Sequence, residues 1–393
     1  MFSLQRYREL FRVPELRTTV AASIAGRMPI GIAGLAILLF VQGRSGSFIF
    51  AGTVSALYVL GLALTAPFLG RLIDRLGPRP VLLACAILYP TALLALTALV
   101  LLAAHPVWVS TMSLLAGATM PPISACVRAL YPRMVTDPAM LPSAYSIDSA
   151  LVEIVFILGP ALVAVCVASG HPEVAIVLAA FSAALGTLTF MRAPPVRRWG
   201  PASLRADKDW LGALRYPKLL VVFGTTLLYA VAFGLFEVAV SAQAASKNMP
   251  AAAGAALALV SVGSGAGALA YGSRHWRMPL RLQLVAALAA MAAGIALLIP
   301  IDDMTLYALA SIVAGIPMAT VIAAQSMLVS RLASRERLAE SFTWSVTCLL
   351  AGISAGIAAG GVLAEQFAPY WLLVAAVCMT VTAALVAAAF IRE

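Results

Sequence analysis

Three charged residues stand inside long apolar runs: Arg27 in "AASIAGRMPIGIAGLAI", Glu153 in "SALVEIVFILGPALVAV" and Glu237 in "LLYAVAFGLFEVAV". Each costs about 2.5–3.5 kcal/mol on membrane-insertion scales, so residues of this kind face an interior and find partners. A carboxylate among apolar groups holds its proton more tightly, and a nearby guanidinium loosens that hold. An acid and an arginine at one depth therefore form a centre that can take up and release a proton. At ~1.5 Å per residue, Arg27 and Glu153 both lie ~14–15 Å from the start of their runs. Arg27 and Glu153 thus share one depth near the bilayer centre, with Glu237 nearer the opposite mouth and Gln325 as a further polar contact.

The elements that must hold these residues are membrane-length. Of 393 residues, 62% are hydrophobic and 11% charged, with a mean hydropathy of +0.99. A soluble surface needs roughly a quarter of its residues charged, so the exterior of this chain is expected to face lipid. Apolar stretches of helix-spanning length recur near 18–42, 49–71, 80–104, 106–128, 143–168, 172–191, 217–243, 251–272, 279–300, 304–330, 338–364 and 369–391. These are numbered here as spans 1–12. Runs such as "LLALTALVLLAA" lack the alternation of a transmembrane β-strand. The expected fold is an all-α membrane protein of 12 transmembrane helices in two six-helix bundles.

The net charge of +10 does not point to nucleic acid, because 23 of the 26 Lys and Arg fall in the tails and even-numbered connections. That asymmetry follows the positive-inside rule and places both termini in the cytosol. Trp108, Tyr131, Tyr216, Tyr370 and Trp371 near span ends suit interfacial belts. Five cysteines, all within spans, show no ligand spacing, so neither a metal site nor a disulfide framework is expected. The N-terminal segment carries both charge signs and leads into a full-length span, unlike a removable signal peptide. No GxxxxGK[ST] phosphate loop appears, and no cofactor or enzymatic constellation is expected.

The least apolar stretch divides the chain into an N-terminal bundle (1–191), a linker (192–216) and a C-terminal bundle (217–393). The halves echo one another: "SAYSIDSALVEIVFILGPAL" lies over "ESFTWSVTCLLAGISAGIAA", matching Ser143 to Glu340, Tyr145 to Phe342 and Gly159 to Gly356. Parallel repeats of this kind build secondary transporters with a site between the halves. The position matching Glu153 is about Leu350, so the repeat itself demands no acid there.

Between spans 2 and 3 stands "GRLIDRLGPRPVLL". Gly70 permits close helix packing, Asp74 supplies an anion for Arg75 and Arg79, and Gly77-Pro78 makes the turn. This stretch, with the six-plus-six organisation, closely resembles the signature of the major facilitator superfamily. The resemblance implies that Gly70, Asp74, Arg75, Gly77 and Arg79 gate the cytosolic side, and that spans 1 and 5 are neighbours lining the cavity, so that an Arg27–Glu153 pair is expected. The counterpart "YGSRHWRMPLRL" keeps Gly272, Arg274 and Arg277 without the acid, so a second latch is weaker or differently built. Asp148, Glu340 and Arg128 lie near cytosolic span ends and join the gating set, with Arg128 also suited to snorkelling. On span 5 the Gly159-Pro160 of antiporter members is present, whereas Val163 and Ala164 replace its later glycines.

The resemblance implies a proton-coupled transporter of a small amphipathic or cationic molecule, exporting by antiport from a bacterial inner membrane. Its partners are substrate, protons and lipid, and a monomer is expected. The alternatives are an importer or facilitator of a small organic anion using Arg27, and a membrane receptor without transport.

Overall fold

The structure is a computed structural model that describes residues 4–201 and 212–391. Most of the expected linker is described, but its residues 202–211 lie outside those limits.

Hydrocarbon offers no partner for a backbone N–H or C=O, so the apolar runs fold as helices that satisfy their own backbones. In chain order they are α1 (Leu4–Leu10), α2 (Pro14–Ser45), α3 (Phe48–Leu76), α4 (Pro78–Leu101), α5 (Pro106–Ala118), α6 (Ile123–Met134), α7 (Leu141–Ala168) and α8 (Pro172–Arg192). After the short α9 (Pro194–Arg198) come α10 (Pro217–Ser246), α11 (Pro250–Gly272), α12 (Leu280–Leu297), α13 (Met304–Leu332), α14 (Leu338–Gln366) and α15 (Pro369–Phe390). Proline opens many of them, where its missing N–H costs nothing. Ser47 and Asp303 cap α3 and α13 with side-chain acceptors. Gly77, at φ +81°, turns α3 directly into α4.

Among the described residues, eleven helices are long and apolar enough to cross a membrane. Span 4 supplies the twelfth crossing in two pieces, α5 and α6, because Pro121 and Pro122 cannot donate to the helical ladder. The outer surface is apolar, with Phe68, Val165, Phe181 and Leu385 strongly exposed, as lipid requires.

The N-terminal bundle packs α2 against α8, α7 and α3, with α4 and α5 behind. The C-terminal bundle packs α10 against α14 and α15, and α11 and α12 against α13. The bundles meet along α3 with α14, and along α7 with α11 and α13. Among the described residues, the hydrogen bonds that join them run from the basic face, where α3 ends and α14 begins, to about the middle of the helices.

Small residues allow these approaches. A side chain on Gly159 of α7 would overlap the backbone of Gly31 on α2, and one on Gly186 of α8 would overlap Gly26. The Gly159→Leu variant is expected to lose ~1–3 kcal/mol through overpacking, measured as a lower thermal midpoint in detergent.

Candidate functional site

Three elements bring one acid and two arginines together inside the N-terminal bundle. Arg27 of α2 donates through Nη2 to Asp148 Oδ1 at 2.6 Å, and Arg128 of α6 donates through Nε to Asp148 Oδ2 at 2.6 Å. The Tyr131 hydroxyl adds a bond to Oδ1 at 3.3 Å. Arg27 is 1% exposed and Asp148 0%, so two guanidiniums share one fully enclosed carboxylate. Among the described residues Arg27 Nε and Nη1 have no hydrogen-bond partner, and neither do the hydroxyls of Ser146 and Ser149 beside Asp148.

This corrects the expected Arg27–Glu153 pair and the placement of Asp148 at a hydrated span end. Depth along a helix counts Cα positions, but the Arg27 side chain leans toward the N-terminus of α2 and spans several ångströms. Its charge therefore sits nearer the basic face than its Cα. Azimuth matters as well. Asp148 precedes Val155, Gly159 and Val163, the buried stripe of α7, whereas Glu153 lies on a different face. The stripe was readable from the sequence, and following it would have selected Asp148.

Glu153 points across the bundle interface instead. Its Oε1 accepts a hydrogen bond from Ser264 of α11 at 2.8 Å, and Ser261 also hydrogen-bonds it. Among the described residues no cation pairs with it. Glu237 is exposed on α10 and makes no side-chain ion pair among the described residues. It lies two turns beyond Tyr229 on a stripe that includes Phe233, and the Tyr229 and Phe233 rings meet edge-on at 5.6 Å. Tyr229 donates to Gln325 Oε1 of α13 at 3.3 Å. Gln325 is buried, and its Nε2 has no hydrogen-bond partner among the described residues.

At the basic face, Asp74 accepts the backbone N–H groups of Ala339 (3.3 Å) and Glu340 (2.8 Å) at the start of α14. An anion at a helix N-terminus is stabilised by the free N–H groups and the helix dipole. The side-chain ion pair at this junction is made by Arg71, not Arg75 or Arg79, and with Glu340 rather than Asp74: Arg71 Nη2 lies 2.7 Å from Glu340 Oε1. Arg75 and Arg79 are exposed; they sit on the solvent side of the turn, away from Asp74. Glu340 also accepts the Ala213 N–H at 3.1 Å, tying the end of the linker to the junction. Gly70 is required where it stands, because a side chain would overlap Thr343 and the Ala339 carbonyl.

The second interface repeats this geometry with different chemistry. A side chain on Gly272 of α11 would overlap Ser146 of α7, and the offset that matches Ser143 to Glu340 also matches Ser146 to Thr343. Without an acid, Ser143 donates to the Gly272 carbonyl at 2.5 Å. The N-terminal helix α1 completes the junction: Tyr7 donates to Leu269 O at 2.5 Å and Arg6 to Arg274 O at 2.9 Å. Tyr145 and Phe342, the repeat partners, pack on each other with ring centroids 6.1 Å apart. Among the described residues no group of three or more His, Cys, Asp or Glu converges as a metal site would need.

The family model of the Major Facilitator Superfamily matches residues 19–246. A curated relative, the uncharacterized MFS-type transporter y4rN of Sinorhizobium fredii, is 28% identical over 240 residues, 60% of this chain. The chain spans 59% of the length of that relative. Among solved structures, a bacterial homologue of the iron transporter ferroportin in an outward-facing state superposes with a TM-score of 0.77 at 14% identity, over 95% of this chain and 98% of that one. The human organic anion transporter MFSD10 gives 0.73 at 16% identity, over 95% and 99%. The proton:xylose symporter XylE gives 0.75 at 14% identity, over 98% and 97%. At these identities the likenesses speak to the fold.

Removing the shared anion strands two buried cations. Asp148→Asn is expected to lose about 3–5 kcal/mol, read as a much lower thermal midpoint in detergent, while Glu153→Gln stays within about 1 kcal/mol. Asp74→Ala removes a helix cap worth about 1 kcal/mol. Spin labels at positions 76 and 337 should then report a roughly fivefold larger population with the basic face parted.

Proposed function

The chain belongs to the major facilitator superfamily, and on that premise we propose that it is a proton-coupled secondary transporter exporting a small amphipathic or cationic organic molecule by antiport. The observation that carries this reading is the division of charge. Asp148 engages both interior arginines, whereas Glu153 and Glu237 stand without a cation among the described residues. Glu153 is therefore the acid that can exchange its proton without stranding a buried arginine. Phe233 and Glu237, one turn apart on α10, present an aromatic ring and an acid on one face, a surface suited to an organic cation.

In this reading the basic face is cytosolic by the positive-inside rule, in a bacterial inner membrane, and the protein works as a monomer. Interbundle hydrogen bonds that run from the basic face only to about the middle of the helices then suit an outward-open state, with Asp74, Glu340, Arg71 and the α1 contacts forming the cytosolic gate.

One observation favours a second reading. Two guanidiniums against one carboxylate leave a surplus positive charge, and among the described residues Arg27 keeps two unpartnered nitrogens, which a small organic anion would satisfy.

Proteoliposomes with an imposed pH gradient test the proposal. Glu153→Gln is expected to abolish uphill movement of an organic cation while downhill exchange continues. Uphill transport retained in that variant would refute proton coupling at Glu153, and transport of organic anions alone would favour the second reading.

A further inference from the structure

We propose that Ser264 is the residue that converts protonation of Glu153 into separation of the two bundles; the inference rests on the reading of Glu153 as the proton-exchanging acid. Ser264 is 1% exposed, and both functions of its hydroxyl are taken. Its oxygen accepts the Ala319 N–H of α13 at 3.0 Å, and its one hydrogen goes to Glu153 Oε1 at 2.8 Å. The donor is thus aimed by the C-terminal bundle and spent on the N-terminal one.

Its placement is rigid. Side chains on Gly263 and Gly267 would overlap the carbonyls of Ile312 and Ile316, and one on Gly315 would overlap that of Val260. This spacing of small residues lets α11 and α13 meet backbone to backbone, which brings Ser264 within reach of the Ala319 amide. When the bundles part at the basic face, Ser264 leaves with α11 and α13, and Glu153 leaves with α7.

The charges around Glu153 give Ser264 this role. From α2 the nearest charge is Arg27, and from α6 it is Arg128; both are engaged by Asp148 on α7 itself. Helix α11 carries no charged residue between Pro250 and Gly272, and the one charged residue of α13 is Arg331 at its basic end. Helix α8 holds Glu173 and Arg192 at its two ends, and α1 holds Arg6, Arg8 and Glu9 on the basic face. Among the described residues, the C-terminal bundle therefore holds Glu153 by hydroxyls and not by a charge. A hydrogen bond to an ionised carboxylate is about twice as strong as one to a neutral acid. Proton arrival at Glu153 from the open side weakens the tie between bundles and releases the basic face. Proton loss restores the tie.

The test uses the full chain in lipid nanodiscs, with spin labels at positions 136 and 277 in a Cys378→Ser background, and reads the distance distribution against pH. In the otherwise unaltered protein, acidification is expected to raise the population with the basic face parted. Ser264→Ala, alone and with Ser261→Ala, should lower the closed population about tenfold at neutral pH and flatten its pH dependence. Ser264→Thr should restore both, and Ser264→Cys, which keeps the volume with a poorer donor, should behave like Ser264→Ala. Wild-type populations and pH profile in Ser264→Ala, in the Ser261/Ser264 double variant and in Ser264→Cys would overturn the role of Ser264. A wild-type pH profile in Glu153→Gln would instead overturn the reading of Glu153 on which it rests.

Discussion

A carboxylate enclosed with two guanidiniums leaves its surroundings little freedom. Each ion loses several kcal/mol of hydration on burial, regained only when geometry and hydrogen bonds are good. Asp148 meets that demand by accepting from Arg27, Arg128 and Tyr131 at once, which fixes α2, α6 and α7 relative to one another. The prolines that interrupt span 4 belong to the same constraint. They end α5 and let α6 begin afresh, carrying Arg128 on a twelve-residue helix. The glycine contacts of α2 with α7 and α8 then bring the backbones close enough to enclose the charges. The cluster thereby ties the N-terminal bundle together from within, which sets it apart from the contacts between bundles.

Those contacts are of another kind. Asp74 holds the N-terminus of α14 through backbone amides, Glu153 is held by serine hydroxyls, and Thr347 donates to the Ala63 carbonyl at 2.8 Å. None encloses a charge as completely as the Asp148 cluster, so they can break and reform at modest cost.

Much of this was legible in the sequence, for identifiable reasons. Span positions follow from apolar length, and the split in span 4 follows from Pro121-Pro122. The motif after Gly70 marks a close helix crossing because only glycine fits there. The partner of Arg27 was not legible from depth alone, since a long side chain displaces its charge from its Cα and depth ignores the face of the helix. The ion pair at this junction also escaped: Arg75 and Arg79 are nearer to Asp74 in the motif, but a helix turned so that Asp74 faces α14 presents Arg71 to Glu340 and leaves those two outside. The tie from Ser264 to Glu153 joins residues 111 apart, and nothing local to either one announces it.

The placement of α1 bears on how the protein is made. Tyr7 and Arg6 bond to carbonyls 262 and 268 residues further along the chain. At ribosomal speeds of ~5–20 residues per second, those acceptors emerge ~13–50 s after the helix that needs them. Throughout that interval the first bundle can assemble around its buried charges while α1 waits at the membrane surface. Its docking therefore cannot precede the synthesis of α11.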